Sequence, residues 1–220
     1  MLSLLIFFFG STIGSFLLVF VERFFTEESF IYGRSHCDHC QHRLGIFDLV
    51  PLLSQLFLRG RCRYCKTKIS FLNFFTELIC GLIFLSAFLH FTSVTQALSF
   101  LFCLVLSLFD AKNHGFPLLV WGGFAVIFFL IFPFHVTMLC WFFLALLAEC
   151  FPLKIGSGDF LWLFILSYFL SFIQLVEVIQ IASVLGLLWY VFKKEKELAF
   201  IPFLSIGYLI LFLTLQIHQQ

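Results

Sequence analysis

The stretch G-S-G-D-F-L-W at residues 156–162 places a carboxylate, Asp159, directly at the start of a long apolar run. An ionisable residue at a membrane segment is costly and is by default a functional candidate. The only other aspartate after residue 48 is Asp110, which lies at the end of another apolar run. Two carboxylates that meet on one side of a membrane can share a proton and activate a water molecule, which is the chemistry of an aspartic protease.

The composition is that of a membrane protein. Hydrophobic residues make up 62% of the chain and charged residues 11%, whereas soluble domains carry about 25% charged residues. A bilayer-spanning helix needs about 20 apolar residues, and we interpret the 36 phenylalanines as lipid-facing bulk. The apolar segments are 2–21, 72–91, 94–110, 116–134, 136–152, 160–176, 178–192 and 199–217. These segments predict an all-α membrane protein with about eight transmembrane helices.

The chain divides into three predicted parts. The first transmembrane helix occupies 1–21, a cytoplasmic metal-binding loop occupies 22–71, and a multi-helix membrane peptidase domain occupies 72–220. No positive charge precedes the first apolar segment and no small-residue cleavage site follows it. We therefore interpret that segment as a retained helix and not as a signal peptide.

The basic residues alternate between the connections and predict an orientation. All 13 Lys and Arg residues fall after the first, third, fifth or seventh apolar segment. Since short basic loops stay in the cytoplasm, the amino terminus is predicted outside the cell membrane and the 22–71 loop inside. Asp110 and Asp159 then lie near the cytoplasmic face. The formal net charge is only +1, and we expect the lipid bilayer but no nucleic acid as a partner.

The 22–71 loop contains two C-x-x-C units, Cys37/Cys40 and Cys62/Cys65, with 21 residues between them. Paired units of this kind present four thiolates to a tetrahedral zinc ion. The loop is too small to bury a large core, so a metal would supply stability that packing cannot. A cytoplasmic location argues against disulfides, and four cysteine ligands leave no open position. The spacing therefore predicts a structural zinc site.

Each aspartate taken alone also has a structural explanation. Asp159 would serve as a helix N-cap after a flexible glycine turn, and Asp110 would cap a helix end or pair with Lys112. Considered together, the two are predicted at the same depth and on the same membrane face. The glycines of the tetrad would also let a substrate backbone approach closely. We therefore interpret the aspartates as a catalytic pair, with Glu149 and Glu77 as the nearest rival carboxylates.

Strings along the chain resemble the type IV prepilin peptidase family of G-x-G-D aspartic membrane proteases. They are G-S-F-L at 14–17 with E-R at 22–23, S-H-C-D-H-C at 35–40, D-L-V-P-L-L-S at 48–54, G-R-C-R-Y-C at 60–65 with I-S at 69–70, Glu77 with Gly81, Asp110, the tetrad at 156–159 and P-F-L-S-I-G at 202–207. The strings follow the family's order and cover essentially the whole chain.

The resemblance implies a specific activity. The family cleaves the short basic leader of prepilins and pseudopilins on the cytoplasmic side, usually after a glycine, and its catalytic aspartates align with Asp110 and Asp159. Many members then methylate the new amino terminus with S-adenosylmethionine, an activity associated with the cysteine-bearing loop. The candidate residues for methyl transfer are Glu22, Arg23 and Glu77. Substrates of this kind serve type IV pili, competence or secretion.

The chain departs from the family pattern at two places. After Asp110 the family continues toward I-P-D, whereas here the chain reads A-K-N-H-G-F-P at 111–117, which keeps the proline and lacks the second acid. Before Glu77 the usual Tyr-Pro is replaced by Asn73-Phe74. The first change leaves the aspartate pair intact. The second lies near the region that the family associates with methyl transfer.

Two other readings remain open from the residues. One is another G-x-G-D intramembrane aspartic protease, of the presenilin type, although such proteases have Tyr-Asp where this chain has Phe109 before Asp110, and they lack C-x-x-C pairs. The other is a non-enzymatic membrane scaffold or transporter with a zinc-knuckle loop, for which both aspartates should be dispensable. A transporter would carry ionisable groups near the bilayer midplane, whereas here the carboxylates lie near segment ends.

Overall fold

The structure is a computed structural model that describes residues 1–24, 35–37, 39–151, 156–193 and 198–218 of the chain. The helices in these ranges are α1 (Leu2–Arg23), α2 (Leu53–Phe57), α3 (Phe71–Phe88), α4 (Val94–Asn113), α5 (Leu118–Ile131), α6 (Val136–Cys150), α7 (Ser157–Leu166), α8 (Phe172–Lys193) and α9 (Ile201–His218), with a 3₁₀ helix at Ile46–Asp48. Within the described residues, isolated β-bridges occur only in residues 35–69, which contain both C-x-x-C units and are called the cysteine-bearing segment below. The predicted all-α class is therefore confirmed.

Eight of these helices are apolar, as the sequence predicts. α1, α3, α4 and α8 have 18–22 residues and are long and apolar enough to cross a membrane. α5, α6 and α7 are apolar but shorter, and α9 is an apolar helix over Ile201–Ile217. The protein is therefore a multi-pass membrane protein. Several basic residues that carry part of the predicted charge pattern lie outside the described residues, namely Arg34, Lys154, Lys194 and Lys196.

The predicted boundary between the sixth and seventh apolar segments is wrong. The prediction ends one helix at residue 176, but α7 ends at Leu166 and α8 begins at Phe172. Ser171 caps the N-terminus of α8. The N–H of Ser171 donates to Oε1 of Gln174 at 2.9 Å, and Oγ of Ser171 accepts the Gln174 N–H at 3.4 Å. This reciprocal arrangement is a capping box. Hydropathy averaged over a window does not detect such a signal inside an apolar stretch.

The chain forms two compact units, Met1–Leu101 and Phe102–Gln220. In the first unit α1 packs along α3 through glycine. A Cβ atom on Gly14 would lie 2.7 Å from the carbonyl oxygen of Thr76, and one on Gly10 would lie 2.9 Å from that of Cys80. Small residues allow such close approach between membrane helices. The glycines of α1 therefore set how closely the two helices pack.

In the second unit α7 is the buried element. All of its residues from Leu161 to Leu166 are buried, and α6 packs against it, while α8 packs against α9. Phe128 of α5 has no exposed surface and is surrounded by the rings of Phe102, Phe169 and Tyr168. These rings come from α4, α5 and the residues just after α7, so they form an aromatic core at the end of α7 opposite to the G-x-G-D tetrad.

Candidate active site and metal centre

Asp110 lies in the last turn of α4 and is 7% exposed. Its Oδ2 accepts the backbone N–H of Ile201, the first residue of α9, at 3.0 Å. The first amides of a helix have no partner within that helix, and the N-terminal end carries partial positive charge. The N-terminus of α9 therefore supplies a hydrogen-bond donor to the buried carboxylate.

Asp159 lies in the first turn of α7, three residues after the N-cap residue Gly156. Its backbone N–H donates to the carbonyl of Gly156 at 3.2 Å, so Asp159 is not the N-cap that the structural explanation requires. A Cβ on Gly156 would lie 3.7 Å from Oδ2 of Asp159, which shows that the carboxylate lies against the glycine turn.

The structure brings the two predicted aspartates together. The carboxylate of Asp110 lies near enough to that of Asp159 for the two negative charges to repel each other, and the imidazole of His114 lies near enough to Asp110 for a positive charge on it to attract that carboxylate. His114 follows α4 and belongs to the string that replaces the family's I-P-D. Two neighbouring carboxylates cannot both ionise at low cost, so they are suited to hold one proton between them. Such a pair can act as base and acid in one reaction.

The second glycine of the tetrad has a packing role. A Cβ atom on Gly158 would lie 2.9 Å from the ring of Phe116, closer than a side chain can pack without the ring moving. Phe116 lies between α4 and α5, where the chain leaves the Asp110 turn. Gly158 therefore lets this connection lie against the start of α7, next to Asp159.

Sequence reasoning missed the groups that support the aspartates. Ser107 is one turn before Asp110 on α4, and its Oγ lies 2.9 Å from Oγ of Ser205 on α9. Trp121 of α5 donates its Nε1–H to the carbonyl of Leu161 on α7 at 2.9 Å. Polar side chains in otherwise apolar helices signal interhelical hydrogen bonds, so the two serines were the available clue. The Ile201 amide carries no side-chain signal at all.

The rival carboxylates lie elsewhere. Glu149 is exposed on α6, and its expected partner Lys154 lies outside the described residues. Glu77 belongs to the first unit and is 5% exposed on α3. Its Oε2 accepts the backbone N–H of Leu52 at 2.8 Å, and the Ser15 side chain also hydrogen-bonds to it. Glu77 therefore attaches the cysteine-bearing segment to α3. The other methyl-transfer candidates, Glu22 and Arg23, lie in the last turn of α1.

The four predicted metal ligands converge in the first unit. The Sγ atoms of Cys37, Cys40, Cys62 and Cys65 all lie within 4.8 Å of one another. The Sγ atoms of Cys37 and Cys65 are 3.7 Å apart. Four sulfurs placed tetrahedrally at 2.3 Å from zinc would be about 3.8 Å apart. The cluster therefore fits a closed tetrahedral metal site.

Both C-x-x-C units use the same backbone turn. The Gln41 N–H donates to the Cys37 carbonyl at 2.8 Å, and the Lys66 N–H donates to the Cys62 carbonyl at 3.0 Å. Gln41 and Lys66 both have left-handed φ values, 56° and 59°. One further hydrogen bond closes each turn: the Cys37 N–H donates to the carbonyl of His42, and the Cys62 N–H donates to the carbonyl of Thr67. The repetition makes two matching knuckles that present their sulfurs toward one point.

One thiol is already disposed to ionise. The side-chain hydrogen bond to Thr67, with Sγ to Oγ1 at 3.2 Å, is the main cause that lowers the pKa of Cys65 to about 6. Metals bind the thiolate and not the thiol. Thr67 therefore supports one of the four ligands in the form that a metal requires.

The chain is similar to known proteins along most of its length. The sequence model of the bacterial peptidase A24 N-terminal domain matches residues 8–91. A type 4 prepilin-like proteins leader peptide-processing enzyme of Escherichia coli O78:H11 is 32% identical over 196 residues, which are 79% of this chain and 73% of that protein. A prepilin leader peptidase/N-methyltransferase of Dickeya chrysanthemi is 30% identical over 202 residues, 79% of this chain and 70% of that protein.

A third relative matches only part of the chain. The prepilin leader peptidase/N-methyltransferase of Myxococcus xanthus is 38% identical over 89 residues, which are 40% of this chain and 27% of that protein. No solved structure matches the chain. Two of these matches reach 30% identity or more and each span 79% of this chain and at least 70% of the relative, and the chain therefore belongs to the prepilin leader peptidase/N-methyltransferase family.

Proposed function

We propose that this protein is a prepilin or pseudopilin leader peptidase in which Asp110 and Asp159 form the catalytic pair. The observation that carries the proposal is that a carboxylate in the last turn of α4 and one in the first turn of α7 lie near enough for their charges to interact. The relatives' names support the substrate class, since they are called prepilin leader peptidases. The leader of such a substrate is cleaved just before its hydrophobic helix, so the bond to be cut lies at the membrane edge.

The surroundings of the two aspartates assign their roles. Asp110 accepts the Ile201 amide at 3.0 Å, and a hydrogen bond to the charged form favours ionisation. Asp110 is thus the base, and Asp159 keeps the shared proton. Asp110 takes a proton from water as the water oxygen attacks the scissile carbonyl, and Asp159 donates to the carbonyl oxygen. The tetrahedral intermediate then collapses: the C–N bond breaks, the leaving amine receives the proton from Asp110, and a hydroxyl group of the intermediate returns a proton to Asp159 as the carbonyl re-forms.

The aspartate pair is tested by co-expression with a candidate prepilin and by measuring the substrate's mass before and after processing. Asp110→Asn and Asp159→Asn should each abolish cleavage while the protein still inserts in the membrane. The double variant should be no worse than either single variant, because the residues act as a unit. Glu149→Gln removes an exposed carboxylate on α6 and should retain activity. Substantial processing by either single aspartate variant would contradict the mechanism.

We infer that the aspartates and the cysteine-bearing segment face the cytoplasm, with the amino terminus outside. The alternation of basic connections along the sequence supports this orientation. A reporter fused after Gly60 should indicate a cytoplasmic location, and a reporter fused after Ser93 should indicate the outside. A cytoplasmic signal at Ser93 would overturn the arrangement, because α3 separates the two positions.

The metal at the four cysteines is zinc in this proposal. A set of four thiolates in tetrahedral arrangement suits zinc or iron, and two C-x-x-C knuckles in a small segment are typical of structural zinc. Cys37, Cys40, Cys62 and Cys65 would hold it, and its contribution is folding stability of residues 35–69. Elemental analysis of protein purified without chelator should give one zinc per chain, and iron or no metal would contradict the assignment.

Methyl transfer is a second proposed activity. The relatives' names include N-methyltransferase, and S-adenosylmethionine would be the methyl donor. Incubation with processed pilin and S-adenosylmethionine carrying a labelled methyl group should transfer label to the new amino terminus. Transfer by the Asp110→Asn variant to pre-processed pilin would show that the two activities use different residues. An absence of label with wild-type protein would restrict the function to cleavage.

A further inference from the structure

A patch of exposed apolar side chains interrupts the otherwise polar cysteine-bearing segment. Phe57 is 83% exposed and Phe47 is 78% exposed, and the other members of the patch are Leu49, Leu53 and Leu56. Positions 53, 56 and 57 share one face of α2, because residues three and four apart are neighbours on a helix. The 3₁₀ helix that carries Phe47 contacts α2. Large exposed apolar patches mark a surface that binds a partner or a membrane.

The hydrogen bond of Leu52 fixes the depth of this patch. Leu52 immediately precedes α2 and donates its N–H to Glu77 at 2.8 Å. Glu77 lies six residues after the start of α3, which is about 9 Å along the axis at 1.5 Å per residue. Since helical side chains lean toward the N-terminus of their helix, the start of α2 lies beside the first two turns of a membrane-crossing helix and not beyond its end.

The neighbouring surface of α3 has the character of a lipid-facing surface. Phe71, Leu72 and Phe75 lie in the first turns of α3 and are exposed large apolar residues. They occupy the same stretch along the helix axis as the Leu52 contact. A surface that faces lipid on α3 at this level implies that lipid is also available to α2 beside it.

The basic residues that follow α2 are also consistent with a position at the membrane surface. Arg59, Arg61, Lys66 and Lys68 are all exposed and follow the apolar patch closely in the chain. Interfacial helices combine an apolar face buried about 5–10 Å into the headgroup boundary with basic residues that attract anionic lipid. Long basic side chains can also reach the headgroups from an apolar level.

We propose that Phe47, Leu49, Leu53, Leu56 and Phe57 insert into the interfacial layer of the bilayer beside the start of α3. α2 then lies in the plane of the membrane and attaches the metal knuckles to its surface. The occupant of the patch is lipid, and not a second copy of the chain or a protein partner. The proposal does not depend on the peptidase activity, since it uses only contacts of the first unit.

The test places a photoreactive p-benzoylphenylalanine at position 57 of the full-length protein in phosphatidylethanolamine and phosphatidylglycerol vesicles. Irradiation should form lipid adducts, detected by mass spectrometry, as strongly as at position 130, where Leu130 of the apolar helix α5 is also exposed. Position 39, in the first knuckle, is the matched exposed control and should form none. Absence of lipid adducts at 57 overturns the proposal, and so does a cross-link from 57 to protein.

A second measurement covers the case in which the photoreactive chain does not fold. Phe57→Trp keeps an aromatic ring at the position, and phospholipids brominated on the acyl chains should quench the fluorescence that this tryptophan adds. His39→Trp should add fluorescence that these lipids leave unchanged. Equal quenching of the two added signals, or no quenching of either, contradicts insertion of the patch.

Discussion

At the scale of single residues, the carboxylate of Asp110 is hydrogen-bonded by a backbone group from a distant part of the chain. Its hydrogen-bond donor is the amide of Ile201, 91 positions away, and Pro202 at the next position has no N–H to offer. The Ser107–Ser205 contact joins the same two helices one turn further along. These two contacts hold the start of α9 against the end of α4, where the carboxylate of Asp110 accepts its hydrogen bond. A substitution in α9 should therefore affect catalysis even though Asp110 itself is unchanged.

Ile201→Pro tests this directly because it removes only the donated proton and part of a side chain. Proline is tolerated in the first turn of a helix, so α9 should still form. Loss of a hydrogen bond to a charged group is worth about 1.5–3 kcal/mol, which predicts cleavage slower by about 10–100-fold. The measurement is the initial rate of leader removal at equal amounts of folded enzyme.

The control for this variant is Ile201→Ala. Alanine keeps the N–H but loses more of the buried side chain, which is 1% exposed in the native protein. It should therefore reduce stability at least as much as proline does while retaining most of the activity. If alanine lowers the cleavage rate as far as proline, packing and not the hydrogen bond explains the effect.

At the scale of elements, glycine decides how α1 meets α3. A methyl group on Gly14 would collide with the carbonyl oxygen of Thr76 at 2.7 Å and the Cβ of Cys80 at 2.8 Å. Backbone cannot move aside as a flexible side chain can, so the helices must separate. Ser15, the next residue, hydrogen-bonds to Glu77, and separation would therefore also disturb the contact that holds Leu52.

We expect Gly14→Ala to destabilise the first unit. Overpacking of this kind costs about 1–3 kcal/mol, and it should appear as faster hydrogen exchange in α1, α3 and the Leu52 amide. Gly122→Ala is the matched control, since nothing lies within 4 Å of its added methyl group in α5. Gly122→Ala should be neutral or slightly stabilising because alanine favours a helix. Equal effects of the two variants would show that the α1–α3 contact is looser than the structure indicates.

The sequence predicts which segments form helices better than it predicts where the helices end or which side chains are buried. Hydropathy found all eight apolar helices because transfer into lipid depends on composition alone. It misplaced the end of α7 because the Ser171–Gln174 capping box is a local hydrogen-bond signal. The prediction that phenylalanine is lipid-facing bulk fails for Phe102, Phe109 and Phe128, which are fully buried. Composition does not distinguish an aromatic core from a lipid-facing surface when both are apolar.

The candidate sites also contain parts that the sequence predicts and parts that it does not. The cysteine cluster was predictable because both knuckles are local and their spacing determines their geometry. The meeting of Asp110 with Asp159 could be inferred only from predicted depth and family resemblance. The Ile201 amide could not be predicted, since every residue has one and only the packing of α9 against α4 selects this one.

At the scale of the whole molecule, the cysteine cluster and the two aspartates belong to different compact units. The cysteine cluster belongs to Met1–Leu101, whereas Asp110 and Asp159 both belong to Phe102–Gln220. The contacts that hold Asp110 and Asp159, from Ile201, Ser205 and Phe116, also lie in the second unit. Loss of the metal should therefore affect the two parts of the molecule differently.

Removal of the metal by a chelator, or Cys62→Ser, should disorder residues 35–69 while the second unit keeps its fold. A small segment that depends on zinc unfolds without it, and Cys62 is the buried ligand. The expected readout is rapid hydrogen exchange across both knuckles with unchanged protection of α4, α7 and α9. Leader cleavage should fall less than it does in Asp159→Asn. Cys103→Ser changes a buried cysteine outside the cluster and should retain the metal. If loss of the metal removes protection from α7 and α9 as well, the metal supports the fold of the whole chain and the catalytic unit is not independent of it.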